Sequence, residues 1–268
     1  MDPASPSPRA ASPRPAAAGV RPVIAPGLHT SALGGLGIDA VVRAAAAAGL
    51  STLEWDSRRH VRLGDAVAAD EAGRRTREAG LAVSSYGPVP RAGLEDAAEF
   101  RAVLATARRL GAPRIRLVVP GGGPGLDAAE RRATVAGVRR AVERAAGEGL
   151  GTVVEGAGPA PDTGWLLDEV DHPGLTACWW PPVGMPAPEV AGTLPPLLPR
   201  VREVWAFSWW PGRTRHTLMF RQAMWREVFA VLRGAGGPVD ALLGPLPSDD
   251  PAVLASESAA LRGLAAGG

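Results

Sequence analysis

Apolar and polar residues follow a recurring helix-then-strand unit along this chain. Segments rich in alanine and arginine run up to Gly49, Gly80, Gly111 and Gly149, at separations of 31, 31 and 38 residues. Glycine just past a helix end suits the left-handed cap. After each glycine comes a short apolar or β-prone run: 51–55, 81–86, 114–119 and 151–155. Further runs at 175–180, 201–209 and 239–244, with a first at 20–25, make eight predicted strands. Between them, 94–110 and 127–148 place apolar groups at intervals of three and four, the helical period. Asp65 and Asp127 stand where N-caps belong. The sixth helix, around 187–198, carries Pro188, Pro195, Pro196 and Pro199 and allows a turn or two at most. Strands alternating with helices indicate an α/β chain with a parallel sheet. Eight units fit closure into a (β/α)8 barrel, with a doubly wound sheet as the alternative.

Composition sharpens this picture. A length of 268 residues, 46% of them apolar, suits one barrel without an internal linker. No run approaches the length of a membrane span. All 29 basic residues are arginine; lysine and asparagine are absent, and Gln222 is the one glutamine. Usage this heavy in Ala, Arg, Gly and Pro reads as the product of G- and C-rich coding in a bacterium. The missing lysine excludes Schiff-base and pyridoxal-phosphate chemistry and a P-loop. A lone Cys178 excludes an internal disulfide, a redox pair and a cysteine-rich zinc site, and the compartment reads as cytoplasmic. Residues 1–22, nearly all Pro, Ala, Ser and Arg, are expected to form a disordered tail ahead of a barrel over 23–265. The tail lacks the apolar region of a secretory signal. Outside it, 26 arginines face 26 acids, so the body gives no reason to expect nucleic-acid binding.

A parallel barrel carries its chemistry at the carboxyl ends of its strands. The residues expected there are Glu54 and Trp55, Ser85 and Tyr86, Glu155, Trp179 and Trp180, and Trp205, Ser208, Trp209 and Trp210. Arg116 lies within the fourth strand, and Arg58, Arg59 and His60 follow the second. Six of the eight tryptophans fall in this set, which favours an aromatic-lined pocket, although any one indole could equally be packing. Glu155 closes an otherwise apolar strand, so it is either used or paired, with Arg116 as the natural partner. His60 reads more readily as solvated surface than as a catalyst. His29, His172 and His216 read as surface or loop residues.

The run GLSTLEWDSRRHVRLGD (49–65) resembles the second βα unit of the xylose isomerase-like superfamily of sugar-phosphate isomerases and epimerases. LAVSSYG (81–87), LGAPRIRLVVPG (110–121), VVEG (153–156), HPGLTACWWPP (172–182), EVWAFSWW (203–210) and ALLGPLPSDDP (241–251) extend the resemblance over most of 20–264. It implies a single-domain TIM barrel in which a divalent metal such as Mg²⁺ or Mn²⁺ steadies an enediolate while carboxylates move a proton. The implied ligands are a Glu ending strand five, an Asp ending strand six, a His in strand seven and a Glu ending strand eight. The first matches Glu155. The others fall at or beside Trp180, at or beside Trp205, and at Gly244. Two further histidines of the pattern are replaced by Ala157 and Val183, and Asp249 and Asp250 lie beyond the strand-eight position. No tightly bound metal or other cofactor is therefore expected.

Two functions follow from the resemblance. One is a sugar or sugar-phosphate isomerase or epimerase working without the usual metal. Glu155, Glu54 and His60 would be its acid–base groups, and Tyr86, Arg116, Trp55, Trp180, Trp205 and Trp209 would contact substrate. The other is a non-catalytic or regulatory relative that binds a small, sugar-like molecule. A third reading, an abasic-site endonuclease, needs a cluster of metal ligands that four scattered histidines do not supply.

Overall fold

A computed structural model of the chain describes residues 23–90, 96–120, 125–157 and 163–267; the tail expected over 1–22 lies outside the described residues. The eight β-prone runs form parallel strands. These are β1 (Ile24–His29), β2 (Thr52–Asp56), β3 (Ala82–Pro90), β4 (Arg114–Pro120), β5 (Gly151–Ala157), β6 (Leu175–Trp179), β7 (Val201–Ala206) and β8 (Val239–Leu243). They close in the order β1-β8-β7-β6-β5-β4-β3-β2. Helices α1 (Ile38–Ala47), α2 (Ala66–Glu78), α3 (Ala97–Leu110), α4 (Ala128–Gly147), α5 (Gly164–Val170), α6 (Ala187–Val190), α7 (Gln222–Ala235) and α8 (Leu254–Ala266) connect them. This is the (β/α)8 TIM barrel, not the doubly wound alternative.

Local chemistry sets the helix ends as expected. Asp65 accepts from the amide of Ala68, and Asp127 forms a reciprocal capping box with Glu130. Gly49, Gly80, Gly111 and Gly149 all hold positive φ, between 71° and 74°. The proline-rich sixth connection makes one helical turn, α6, followed by 3₁₀ turns at 191–193 and 195–200.

Two strands depart from expectation. The first lies at Ile24–His29 and not at 20–25. Pro26 and Gly27 look like strand breakers, yet the Pro26 carbonyl accepts from both the amide and the hydroxyl of Ser51, at 2.8 and 2.9 Å. Gly27 is demanded by packing: a β-carbon there would stand 2.4 Å from Thr52 Cγ2 and 2.8 Å from Leu242 Cδ2. The seventh ends at Ala206, and Ser208–Trp209 turns away to pair with Arg215–His216 as a small antiparallel ribbon.

The apolar core lies between the strands and the helices, where residues such as Leu53, Trp55, Leu117, Val154 and Phe229 are buried. Within the barrel the alternate face of the strands carries charge. On the floor, Arg114 of β4 donates to Asp240 of β8 and lies 3.6 Å from Glu203 of β7. Ser84 Oγ of β3 lies 3.0 Å from Glu203 and 2.9 Å from Asp240. A hydroxyl has one proton, so Ser84 donates to one of the two at a time. Burial pushes Glu203 above the ordinary carboxylate range, and the charge of Asp240 adds to this against the pull of Arg114. Ser84 stands within donor reach of both carboxyl groups and ties β3 to β7 and β8.

Gly27→Ala is expected to lower stability by about 2 kcal/mol, because the added methyl overpacks a closed ring. Chemical denaturation would measure it, and an unchanged midpoint would show that β1 can shift to make room.

Candidate functional site

One storey above this floor, Arg116 of β4 occupies the axis of the barrel. Its Nε donates to Glu54 of β2 and its Nη1 to Glu155 of β5. Its Nη2 lies 3.3 Å from Nε2 of His29, the last residue of β1. Guanidinium has no acceptor, so His29 accepts at Nε2, carries its proton on Nδ1, and donates that proton to Ser31 Oγ. Burial, and then the charge of Arg116, hold His29 below the ordinary histidine range, consistent with this neutral form. The guanidinium also stacks over the Trp205 indole, 4.6 Å from its ring centre.

The strands explain this convergence. β2, β4 and β5 present Glu54, Arg116 and Glu155 to the lumen, and neighbours in sequence face the helices. Arg116 is 1% exposed and Glu54 is fully buried. An arginine so deep needs acceptors on every side, or its desolvation is not offset. Burial raises Glu54 to about 8, Arg116 opposes that shift, and the nearby charges of Glu203 and Glu155 add to it.

Above Arg116 opens a cavity of about 730 Å³, within the range of small-molecule sites. Glu155, Arg116, Tyr86, Trp180, Trp205 and Trp209 all line it. One wall is a run of aromatic rings, with Trp180 6.0 Å from Phe207 and Phe207 4.8 Å from Trp209. The Tyr86 hydroxyl is committed to the Val61 carbonyl at 3.0 Å. The Glu155 side chain is 14% exposed.

Three expected site residues do not line the cavity. Glu54 is buried beneath it and accepts from Arg116 Nε. Trp55 points outward because its neighbour points in, and its indole N–H donates to Thr76 of α2 at 3.2 Å. His60 is half-buried, edge-on to Trp55 with ring centres 5.8 Å apart, beside the carbonyls of Leu33 and Leu36. Conversely, His29, read from sequence as surface or loop, is buried beside Arg116. Its signal was lost with the misplaced first strand, since a strand ending at His29 puts that side chain at the mouth. Glu203, Asp240 and Arg114 were also missed, and so were Phe207 and Arg213 as lining residues, whereas Arg58, expected after the second strand, does line the cavity.

The positions that the resemblance assigns to metal ligands can now be tested for fit. Glu155 is held by Arg116. Trp180 and Trp205 present indoles, and Trp205 carries the guanidinium on its face. Gly244 offers no side-chain ligand and has φ of +142°, a backbone conformation that strains any other residue. Among the described residues, no three His, Cys, Asp or Glu side chains gather to hold a metal ion.

Comparison with solved structures shows the fold of xylose isomerase-like TIM barrels. D-psicose 3-epimerase from Clostridium cellulolyticum H10, solved with D-tagatose, superposes with a TM-score of 0.68 at 14% identity, covering 90% of this chain and 98% of the epimerase. A xylose isomerase domain containing protein from Salmonella typhimurium LT2 gives 0.70 at 15% identity, covering 92% and 99%. D-allulose 3-epimerase from Methylomonas sp., in complex with D-allulose, gives 0.63 at 17% identity, covering 88% and 95%. No protein-family model and no curated protein matches the chain by sequence.

Arg116→Met is expected to cost about 3–5 kcal/mol in chemical denaturation, because it strands Glu54 as a buried acid without its partner; a cost below 1 kcal/mol would mean the pair is effectively solvated. A second expectation concerns pH. The folded state holds the Glu54 proton up to about 8, whereas the unfolded chain releases it near 4.5. Folded protein then binds more protons across that window, so this residue makes stability fall as pH rises through it. Denaturation midpoints for Glu54→Gln should fall less steeply than wild type over the same range, and parallel curves would contradict the assignment.

Proposed function

We propose that this chain is a metal-independent, small-molecule-binding barrel, built on the scaffold of sugar isomerases and epimerases and lacking their proton-transfer chemistry. The observation that carries this reading is the single guanidinium that engages both Glu54, sealed in the lumen, and Glu155, at the floor of the cavity. Of the acid–base candidates Glu155, Glu54 and His60, Glu155 alone lines the cavity. Epimerisation needs a proton removed from one face of a carbon and returned to the other, which calls for two positioned groups or one mobile one. A carboxylate pinned by Arg116 is neither. What the site offers is recognition: indole faces that stack on the C–H face of a sugar-like ring, and Glu155 to accept a hydrogen bond from a hydroxyl.

The pinned cation also takes over the electrostatic place that a divalent ion fills in such barrels. It offsets the charge of the carboxylates permanently, with no ion to exchange. This account requires neither Mg²⁺ nor Mn²⁺.

The test uses D-allulose and D-tagatose, the sugars named for the similar structures. Either sugar is expected to change the fluorescence of the lining indoles. Glu155→Gln should weaken that binding about ten-fold, equal to about 1.4 kcal/mol, while chromatography detects no 3-epimer. Conversion by the wild type that disappears in Glu155→Gln would restore the catalytic reading and overturn this one.

A further inference from the structure

The cavity is more apolar than a site for a free sugar needs to be. Beyond the indoles, its walls are built by Leu63, Val89, Val103, Val118 and Val119. A free ketohexose presents hydroxyls on every side, and each hydroxyl desolvated without a partner costs about 1–3 kcal/mol. These walls repay little of that, so a free sugar should bind weakly beside a better-matched ligand. They suit a ligand with an apolar or aromatic body of appreciable size.

Charge at the same cavity is unbalanced. Arg58, Arg116 and Arg213 line it against Glu99 and Glu155, which leaves one positive charge among the described lining residues. Arg116 is spent on Glu54 and Glu155. Arg58 and Arg213 are both exposed, and neither has a carboxylate within ion-pair distance among the described residues. Arg213 instead stacks 5.5 Å from the Trp209 ring centre, which aligns its planar fork with the aromatic wall. Arginine at such a place is suited to grip a carboxylate through paired hydrogen bonds.

Hydrogen-bond donors point the same way. The indole nitrogens of Trp180, Trp205 and Trp209 are all buried without an acceptor among the described residues. Indole donates only, so a modest shift of these lining side chains would let ligand oxygens satisfy groups that are otherwise orphaned. Together with the exposed Arg58 and Arg213 they bias the lining toward donors, with the part-buried Glu155 as an acceptor inside.

We infer that the ligand is an organic acid: an apolar or aromatic body held against the indole wall, one carboxylate gripped by Arg58 and Arg213 at the mouth, and a hydroxyl directed to Glu155. This rests on the metal-independent binding reading above and narrows its ligand class. A single negative charge matches the single excess positive charge better than a phosphate dianion does.

The experiment titrates the intact protein with three acids, 4-hydroxybenzoate, 4-hydroxycinnamate and 4′-hydroxybiphenyl-4-carboxylate, each paired with its primary amide, and with D-allulose as a neutral reference. Indole fluorescence and calorimetry read the affinity. At least one acid should bind ten-fold or more tightly than its amide, and tighter than D-allulose. Added salt should weaken it, and the Arg58→Ala, Arg213→Ala double variant should reduce it to the level of the amide while keeping the wild-type melting temperature. Equal binding of acid and amide, or full affinity in the double variant, overturns the inference. Binding of D-allulose alone overturns the inference and leaves the binding function standing. Failure of every probe, acids and sugar alike, overturns both.

Discussion

A guanidinium sealed inside a closed ring of strands has to be met by acceptors from several directions, and most of what is distinctive here follows from that demand. Arg116 draws Glu54 from β2, Glu155 from β5 and His29 from β1 to one point, with Trp205 as a stacking face. None of these side chains is then free to move without stranding another. Arg116 makes His29 an acceptor at Nε2, while burial makes Glu54 a weak acid against the pull of Arg116. The interaction is poor evidence for net stability, since desolvation opposes it. It is good evidence for a fixed arrangement.

The floor beneath repeats the design with a second arginine. Arg114, Glu203, Asp240 and Ser84 join β3, β4, β7 and β8 across the lumen. Barrels usually fill this space with branched apolar side chains. Here charged groups fill it, paired layer by layer, and they set the register of the inward faces while the helices pack an ordinary apolar core outside. The cavity above inherits a rigid base with the part-buried acid Glu155 in its lining.

Much of this was legible in the sequence. The glycine-punctuated repeat marked helix ends that carry positive φ, and Asp65 and Asp127 declared two helix starts. Glu155, Arg116, Tyr86, Trp180, Trp205 and Trp209 were each expected at the site and each line the cavity. The failures have distinct physical causes. Facing in a strand has a period of two, so a small register error inverts every assignment on that strand. Adjacent Glu54 and Trp55 could not both face the lumen, and it is Glu54 that does. The first strand was set four residues early, which left His29 in a loop. The pairing across the barrel of Ser84 with Asp240, or of Arg116 with Glu54, joins residues too far apart in sequence for any local pattern to reveal.

The central claim is that an arginine side chain stands where related folds would carry a cation. Manganese is the most direct probe, because its electron paramagnetic resonance signal distinguishes free from bound ion. Titrated into the wild-type protein, Mn²⁺ should keep the spectrum of the free ion. A tightly bound equivalent, about one per chain and released by Glu155→Gln, would contradict the account at its root.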